Sequence, residues 1–439
     1  MDATMLRHAC ARALLLAPLL PMTAQAALSA PEQKIASTVK AEHGRSVALL
    51  ETLVNQNSGS MNLEGVAKVA QLLRPELEAL GFKVQWKPMP ATQRAGHLIA
   101  THTGRPGGKR LLLIGHLDTV FEADAPFQTY SAKGQTATGP GVGDDKGGVV
   151  VMLGALRAMQ AAGTLAAANI EVVLTGDEED VGDPQDLARA DLVAAGKRAD
   201  VALDFENLAQ EDGQDMGSIA RRSSNSWTLK TTGKSGHSSG IFSSSAGDGA
   251  IFELSRILTA FRQELPEPNL TFNVGLIGGG QRAELDADGV RLSADGKSNI
   301  IPSVAVAKGD FRTLSQDQTE RVRRKMQAIV ARHLPLTEAS IGFDESYPAM
   351  PPTAGNRALL AQLNAVNQDL GLAPMAELDP LKRGAGDIAF VAADVDGLVG
   401  LGIAGAGSHA PGETADLGSL DRQAIRAGIL MSRLGAQAR

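Results

Sequence analysis

The sequence predicts an α/β protein built on a doubly wound, mainly parallel sheet, with a ferredoxin-like α+β domain inserted into it. Three observations carry this reading. Short apolar runs of β type alternate with stretches whose apolar residues recur every three to four positions. After Ser218–Arg222 that alternation gives way to a compact β-α-β-β-α-β order. It resumes after Pro348–Pro352, and 439 residues with 43% hydrophobic and 21% charged content are more than one ordinary core accommodates.

Taken in order, the first element is a leader. Arg7 and Arg12 precede the apolar run Ala13–Met22, which ends in Ala24-Gln25-Ala26. A charged start, a short apolar stretch and an A-x-A site form a signal peptide over residues 1–26, cleaved near Ala26, which would send the chain to the periplasm or outside the cell. The apolar run is too short to cross a bilayer as a stable helix. The single cysteine, Cys10, lies in this leader, so the mature chain would contain neither a disulfide nor a thiolate ligand.

Helical spacing runs from Lys34 to Leu80 and stops at Gly81. Strands are expected at Phe82–Trp86, His97–His102 and Arg110–Ile114, then a helix over Lys146–Gln160, a strand at Ile170–Thr175, a helix over Pro184–Ala195 and a strand at Asp200–Phe205. The inserted unit, residues 222–348, has strands at Trp227–Thr232, Leu270–Ile277 and Ile300–Arg312 and helices over Gly247–Arg262 and Gln318–His333. The first domain, residues 27–221 and 349–439, closes with the helix Arg357–Leu370, the strand Gly397–Ile403 and the helix Ser419–Leu434. The formal charge of -7 is mild and includes no basic run, so nucleic acid is not an expected partner.

Chemistry collects at the strand ends. In Leu111–Val120 an apolar strand terminates in His116 and Asp118, two apart and therefore on one face, an arrangement that lets a carboxylate fix the tautomer of a metal-binding imidazole. Asp144 and Asp145 sit in the Gly-rich loop Gly139–Gly148, just before a helix. Glu178 and Glu179 follow the strand ending at Thr175, Glu206 follows the strand ending at Phe205, and His409 follows the strand ending near Ile403. Any one of these loops alone reads as a solvated turn. Together they lie at the carboxyl ends of strands, where a doubly wound sheet gathers its ligands. Two histidines with three carboxylates and no thiolate is the composition of a hydrolytic two-zinc site with one bridging carboxylate.

In these motifs the chain resembles the co-catalytic zinc peptidase family of glutamate carboxypeptidase, aminoacylase, peptidase T and succinyl-diaminopimelate desuccinylase, and it is most similar to the carboxypeptidase G-like branch. The resemblance runs from about Ala41 to the C-terminus. It rests on Gly115–Phe121, Gly139–Gly148, Thr175–Glu179, Asp204–Glu206, Gly236-His237, Asn299–Pro302, Asp310–Arg312 and Ser408-His409. It implies two Zn2+ per chain, with Co2+ or Mn2+ as other candidates. Asp144 would bridge them, His116 and Glu206 would complete one ion, and Glu179 and His409 the other. Asp118 would support His116, and Glu178 would be the general base.

The resemblance also implies that residues 222–348 form a lid and dimerisation domain, and that His237 enters the partner's site to stabilise the oxyanion. Asn299 and Arg312 would meet the substrate's terminal carboxylate, for which a guanidinium fork is suited. In Arg383-Gly-Ala-Gly-Asp387 the family's pocket-lining hydroxyl residue is replaced by Gly386. The expected activity is metal-dependent hydrolysis of an amide in small peptides or N-acyl amino acids, releasing C-terminal glutamate. An aminoacylase or dipeptidase is the alternative within that chemistry, and a non-catalytic periplasmic binding protein the alternative outside it.

Overall fold

A computed structural model describes residues 28–439, and the expected signal segment, with Cys10, lies outside the described residues. Three helices, Ala30–Ala41, His43–Val54 and Leu63–Ala79, precede a six-stranded sheet. Its spatial order is Lys83–Met89, Arg94–His102, Asn169–Thr175, Arg110–His116, Val201–Asp204 and Gly397–Leu398. Arg94–His102 runs antiparallel to both neighbours, whereas the last four strands are mutually parallel.

Arg110–His116 lies inside that parallel block and is apolar on both faces. Leu111 and Leu113 enter the core shared with the helices Lys146–Ala161 and Leu417–Gly435, while Leu112 and Ile114 enter a second core with Leu192, Ala195, Ile388 and Val391. Burial on both sides is why this strand reads as a continuous apolar run. His116 pairs in register with Thr175, and Ile114 with Asp204. The three following loops therefore leave from one edge of the sheet.

Two elements depart from the sequence expectation. The helix expected over Pro184–Ala195 is two pieces, Gln185–Ala188 and Ala190–Arg198. They are interrupted at Arg189, whose buried guanidinium turns inward to Asp177 and Asp387. The strand expected over Gly397–Ile403 pairs only at Gly397–Leu398, because Gly400 takes a left-handed φ of 84° and bends the chain away. A small sheet that sequence patterning did not indicate then joins Gly405–Ala406, Thr414–Asp416, Thr136–Thr138 and Ser131–Lys133. It ties the hairpin carrying His409 to the strand entering the Asp144 loop.

Residues 225–345 form a separate antiparallel sheet in the order Thr271–Gly280, Val304–Arg312, Asn225–Gly233 and Thr337–Glu345. The helices Ala250–Glu264 and Gln316–Val330 cover it around Trp227, Phe261, Phe311, Val322 and Met326. This is the ferredoxin-like order, with an added hairpin of Arg282–Leu285 and Leu292–Asp295. The two chain crossings between the cores are stitched together. Arg221 and Met350 exchange backbone hydrogen bonds of 2.9 Å, and the Ser224 amide donates to the Tyr347 carbonyl at 2.9 Å. No described helix is long and apolar enough to cross a membrane.

Candidate functional site

His116 ends its strand 1% exposed, so its ring can reach only what the neighbouring loops present. Nδ1 lies 3.1 Å from the Asp118 carbonyl and 3.4 Å from Asp118 Oδ1, and Nε2 lies 3.1 Å from Asp144 Oδ1. Asp144 Oδ2 is 3.3 Å from His409 Nε2, which is 3.1 Å from Glu179 Oε2. Four of the expected ligand residues thus meet in one chain of contacts. One ligand atom each from His116, Asp144 and Glu179 fall within 4.8 Å of one another.

Asp118 does more than face His116. It is fully buried and accepts the backbone amides of Glu178 and Glu179, each at 3.0 Å, together with the Ser60 hydroxyl at 2.6 Å. One carboxylate therefore fixes both an imidazole and the turn that carries two glutamates. Glu413 performs a comparable task on the other side, accepting the amides of Gly141, Gly143 and Asp144 at 2.8–3.0 Å. The Tyr347 hydroxyl, held by Arg189, donates to the Glu178 carbonyl. Sequence reasoning did not find Ser60, Glu413 or Tyr347. Only Glu413, four residues beyond His409 on the same hairpin, gave any signal.

The electrostatics of this cluster call for a cation. Burial raises the pKa of Asp144, but hydrogen bonds from His116 and His409 outweigh it and hold the carboxyl well below its ordinary range. Burial disfavours a charged His116, yet Asp118 and Asp144 raise its pKa well above the usual value. His409 is pushed up to about 11 by Asp144 and Glu179. Burial, then the charge of Glu206, raises Glu178 well above a normal glutamate. Carboxylates outnumber imidazoles in the cluster, and a divalent ion bound there would offset that excess while displacing protons from the imidazoles. Imidazole and carboxylate donors without thiolate suit zinc, cobalt or manganese, and the residues present fit such a group.

Glu206 lines the same cavity but does not join the cluster. Its Oε1 is held by Arg221 Nη1, and its Oε2 lies 3.5 Å from Arg383 Nη2. Gly386 explains how the arginine fits. A Cβ there would fall 1.9 Å from Arg221 Nη1 and 2.5 Å from Glu206 Oε1. The residue expected to line the pocket instead leaves room for a guanidinium.

Arg312 lines the cavity, whose volume is about 560 Å3, with Arg221 and Arg383. His237 and Asn299 do not line it. They stand together on the inserted unit, where the Asn299 carbonyl accepts the Ser238 amide at 2.9 Å and His237 bridges to Ile300. Both are exposed. Replacing Asp118 with Asn should weaken divalent-metal binding roughly 10- to 100-fold, measured by calorimetric titration of the metal-free protein. Unchanged affinity would show that Asp118 does not orient the cluster.

Residues 112–428 match the family described as peptidase family M20/M25/M40. Carboxypeptidase G2 of Pseudomonas sp. (strain RS-16) is 27% identical over 399 residues, covering 89% of this chain and 89% of that one. Among solved structures, the aminopeptidase PepT of Bacillus cereus has a TM-score of 0.70 at 17% identity, over 89% of this chain and 98% of that one. A Bacillus subtilis protein described as a dinuclear metal binding peptidase has a TM-score of 0.62 at 17% identity, over 90% of this chain and 99% of that one. The two structural likenesses establish the shared fold. With most of its length matched, the chain belongs to peptidase family M20/M25/M40 and is a metal-dependent peptidase or amidohydrolase.

Proposed function

We propose that this chain hydrolyses an amide bond in small peptides or N-acyl amino acids with a free carboxylate beside the scissile bond, releasing C-terminal glutamate. The observation that carries this is one cavity with an imidazole–carboxylate floor and a wall bearing Arg221, Arg312 and Arg383. Its volume of about 560 Å3 suits a small ligand. The likeness to carboxypeptidase G2 along most of both chains supports the carboxypeptidase choice.

His116, Asp144 and Glu206 would hold one ion, and Asp144, Glu179 and His409 the other. Two zinc ions, or cobalt or manganese, would supply an acidified water and polarise the scissile carbonyl. Glu178 is the proton carrier: lining the cavity, it accepts a proton there and passes it to the departing nitrogen. Asp118 and Tyr347 hold its backbone for that transfer. Arg312 binds the terminal carboxylate. No nucleophilic side chain is required, which leaves the serines of Ser235–Ser245 outside the chemistry.

His237 and Asn299, exposed and away from their own cavity, would serve the site of a second copy in a homodimer. The leader would deliver the protein outside the cytoplasm. The secreted product should begin near Ala27 by N-terminal sequencing and have twice the chain mass by sedimentation. An intact leader, or a single-chain mass, would remove the corresponding part of this proposal.

Glu178→Gln should retain bound metal and a normal melting curve while kcat falls about 10²- to 10⁴-fold. Normal turnover by that variant would remove Glu178 as the base. A panel of N-acyl glutamates, other N-acyl amino acids and free dipeptides settles the substrate class. Preference for free dipeptides would make the enzyme a dipeptidase, and preference for other N-acyl amino acids an aminoacylase. Under graded chelation, metal analysis should show two ions leaving in separate steps, the one at Glu206 first because Arg221 competes for that carboxylate. Loss of both in a single step would contradict this ordering.

A further inference from the structure

Arg221 and Arg383 both approach Glu206, but they are not equivalent. Arg221 engages each of its three nitrogens within the protein: Nε on the Gly384 carbonyl at 2.7 Å, Nη2 on the Ala385 carbonyl and Nη1 on Glu206. It clips the 383–387 turn to the end of the strand Val201–Asp204. Arg383 uses Nη1 on the Asn207 carbonyl at 2.8 Å. Its Nη2 makes no hydrogen bond, although the residue is only 7% exposed and lines the cavity. The ion-pair separation of 3.5 Å to Glu206 leaves those N–H groups without an acceptor. A buried charged donor in that condition is costly and rare, and a ligand is one of the few things that accounts for it.

A second cation stands nearby. A Cβ built on Gly384 would lie 3.8 Å from Arg312 Nη1, so the Arg312 guanidinium reaches the same short turn that begins with Arg383. Asp310 is the carboxylate beside Arg312, at 3.4 Å, and Arg312 stays about one-third exposed.

We infer that Arg383 determines specificity for an acidic side chain, its free Nη2 taking the second carboxylate of a substrate whose terminal carboxylate sits on Arg312. The selected class is amides of dicarboxylic amino acids, glutamate or aspartate, over their neutral amides. This rests on the hydrolytic reading above and adds the residue that makes the choice.

The test compares kcat/KM for N-acyl-glutamate and N-acyl-glutamine on the metal-loaded enzyme. These substrates differ by one charge and almost no volume. The wild type should favour glutamate roughly 10- to 100-fold. Arg383→Gln should bring the ratio near one, mainly through KM for the glutamate substrate, and Arg383→Lys should restore part of it. A wild-type ratio near one, or a ratio unchanged in Arg383→Gln, overturns the assignment. Should Arg383→Gln melt early, calorimetric binding of free glutamate against glutamine to the wild type decides, and equal affinity overturns it. If the wild type hydrolyses neither substrate the hydrolytic reading fails, while the same calorimetric comparison still decides whether the subsite exists.

Discussion

The organising constraint of this protein is a surplus of carboxylates buried at one edge of a parallel sheet. Asp118, Asp145, Asp204 and Asp387 are each no more than 2% exposed, and Asp144, Glu178, Glu179 and Glu206 stand among them. Uncompensated charges at such depth would cost several kcal/mol each. The fold meets this in two ways. Arg189 and Arg221 supply permanent positive charge from beneath and beside the cluster. The positive partners recorded in contact with Asp144 and Glu179 are imidazoles, so compensation at those two carboxylates depends on protons or on metal. The neutral periphery and the demanding centre are parts of one electrostatic problem.

Positioning follows from the same economy of groups. Asp118 is one residue with three duties, because its oxygens accept two consecutive amides and a hydroxyl while the carboxylate faces His116. Glu413 gathers three amides of the Asp144 loop from a hairpin that also carries His409. Each cluster residue is thereby referenced to a neighbouring loop as well as to its own strand. That cross-referencing keeps loops this rich in glycine from wandering.

Much of this is legible in the sequence. Leu111–Ile114 is apolar on both faces, which marks a strand inside a covered sheet, and His116, Asp144, Glu179 and His409 were placed at strand ends that do converge. What patterning could not supply was long-range side-chain pairing. Nothing local distinguishes Arg221 or Arg383 from a surface arginine, because their partners arrive from Glu206, Asn207 and the 384–385 carbonyls. The helix break at Arg189 is hidden for the same reason, since propensity favours continuing the helix and only the buried pull of Asp177 and Asp387 stops it. The strand at Gly397 ends early through one glycine torsion, which apolar periodicity does not register. The residues of the small sheet beside His409 form strands of two or three, too short to show any period.

The glycine at 386 has a consequence for how this chain can change. A Cβ at 386 would fall 1.9 Å from Arg221 Nη1 and 2.5 Å from Glu206 Oε1, so any side chain there obliges the guanidinium and the carboxylate it holds to shift together. Two segments distant in sequence thereby share one small volume, and a change at 386 is felt first in the grip on Glu206.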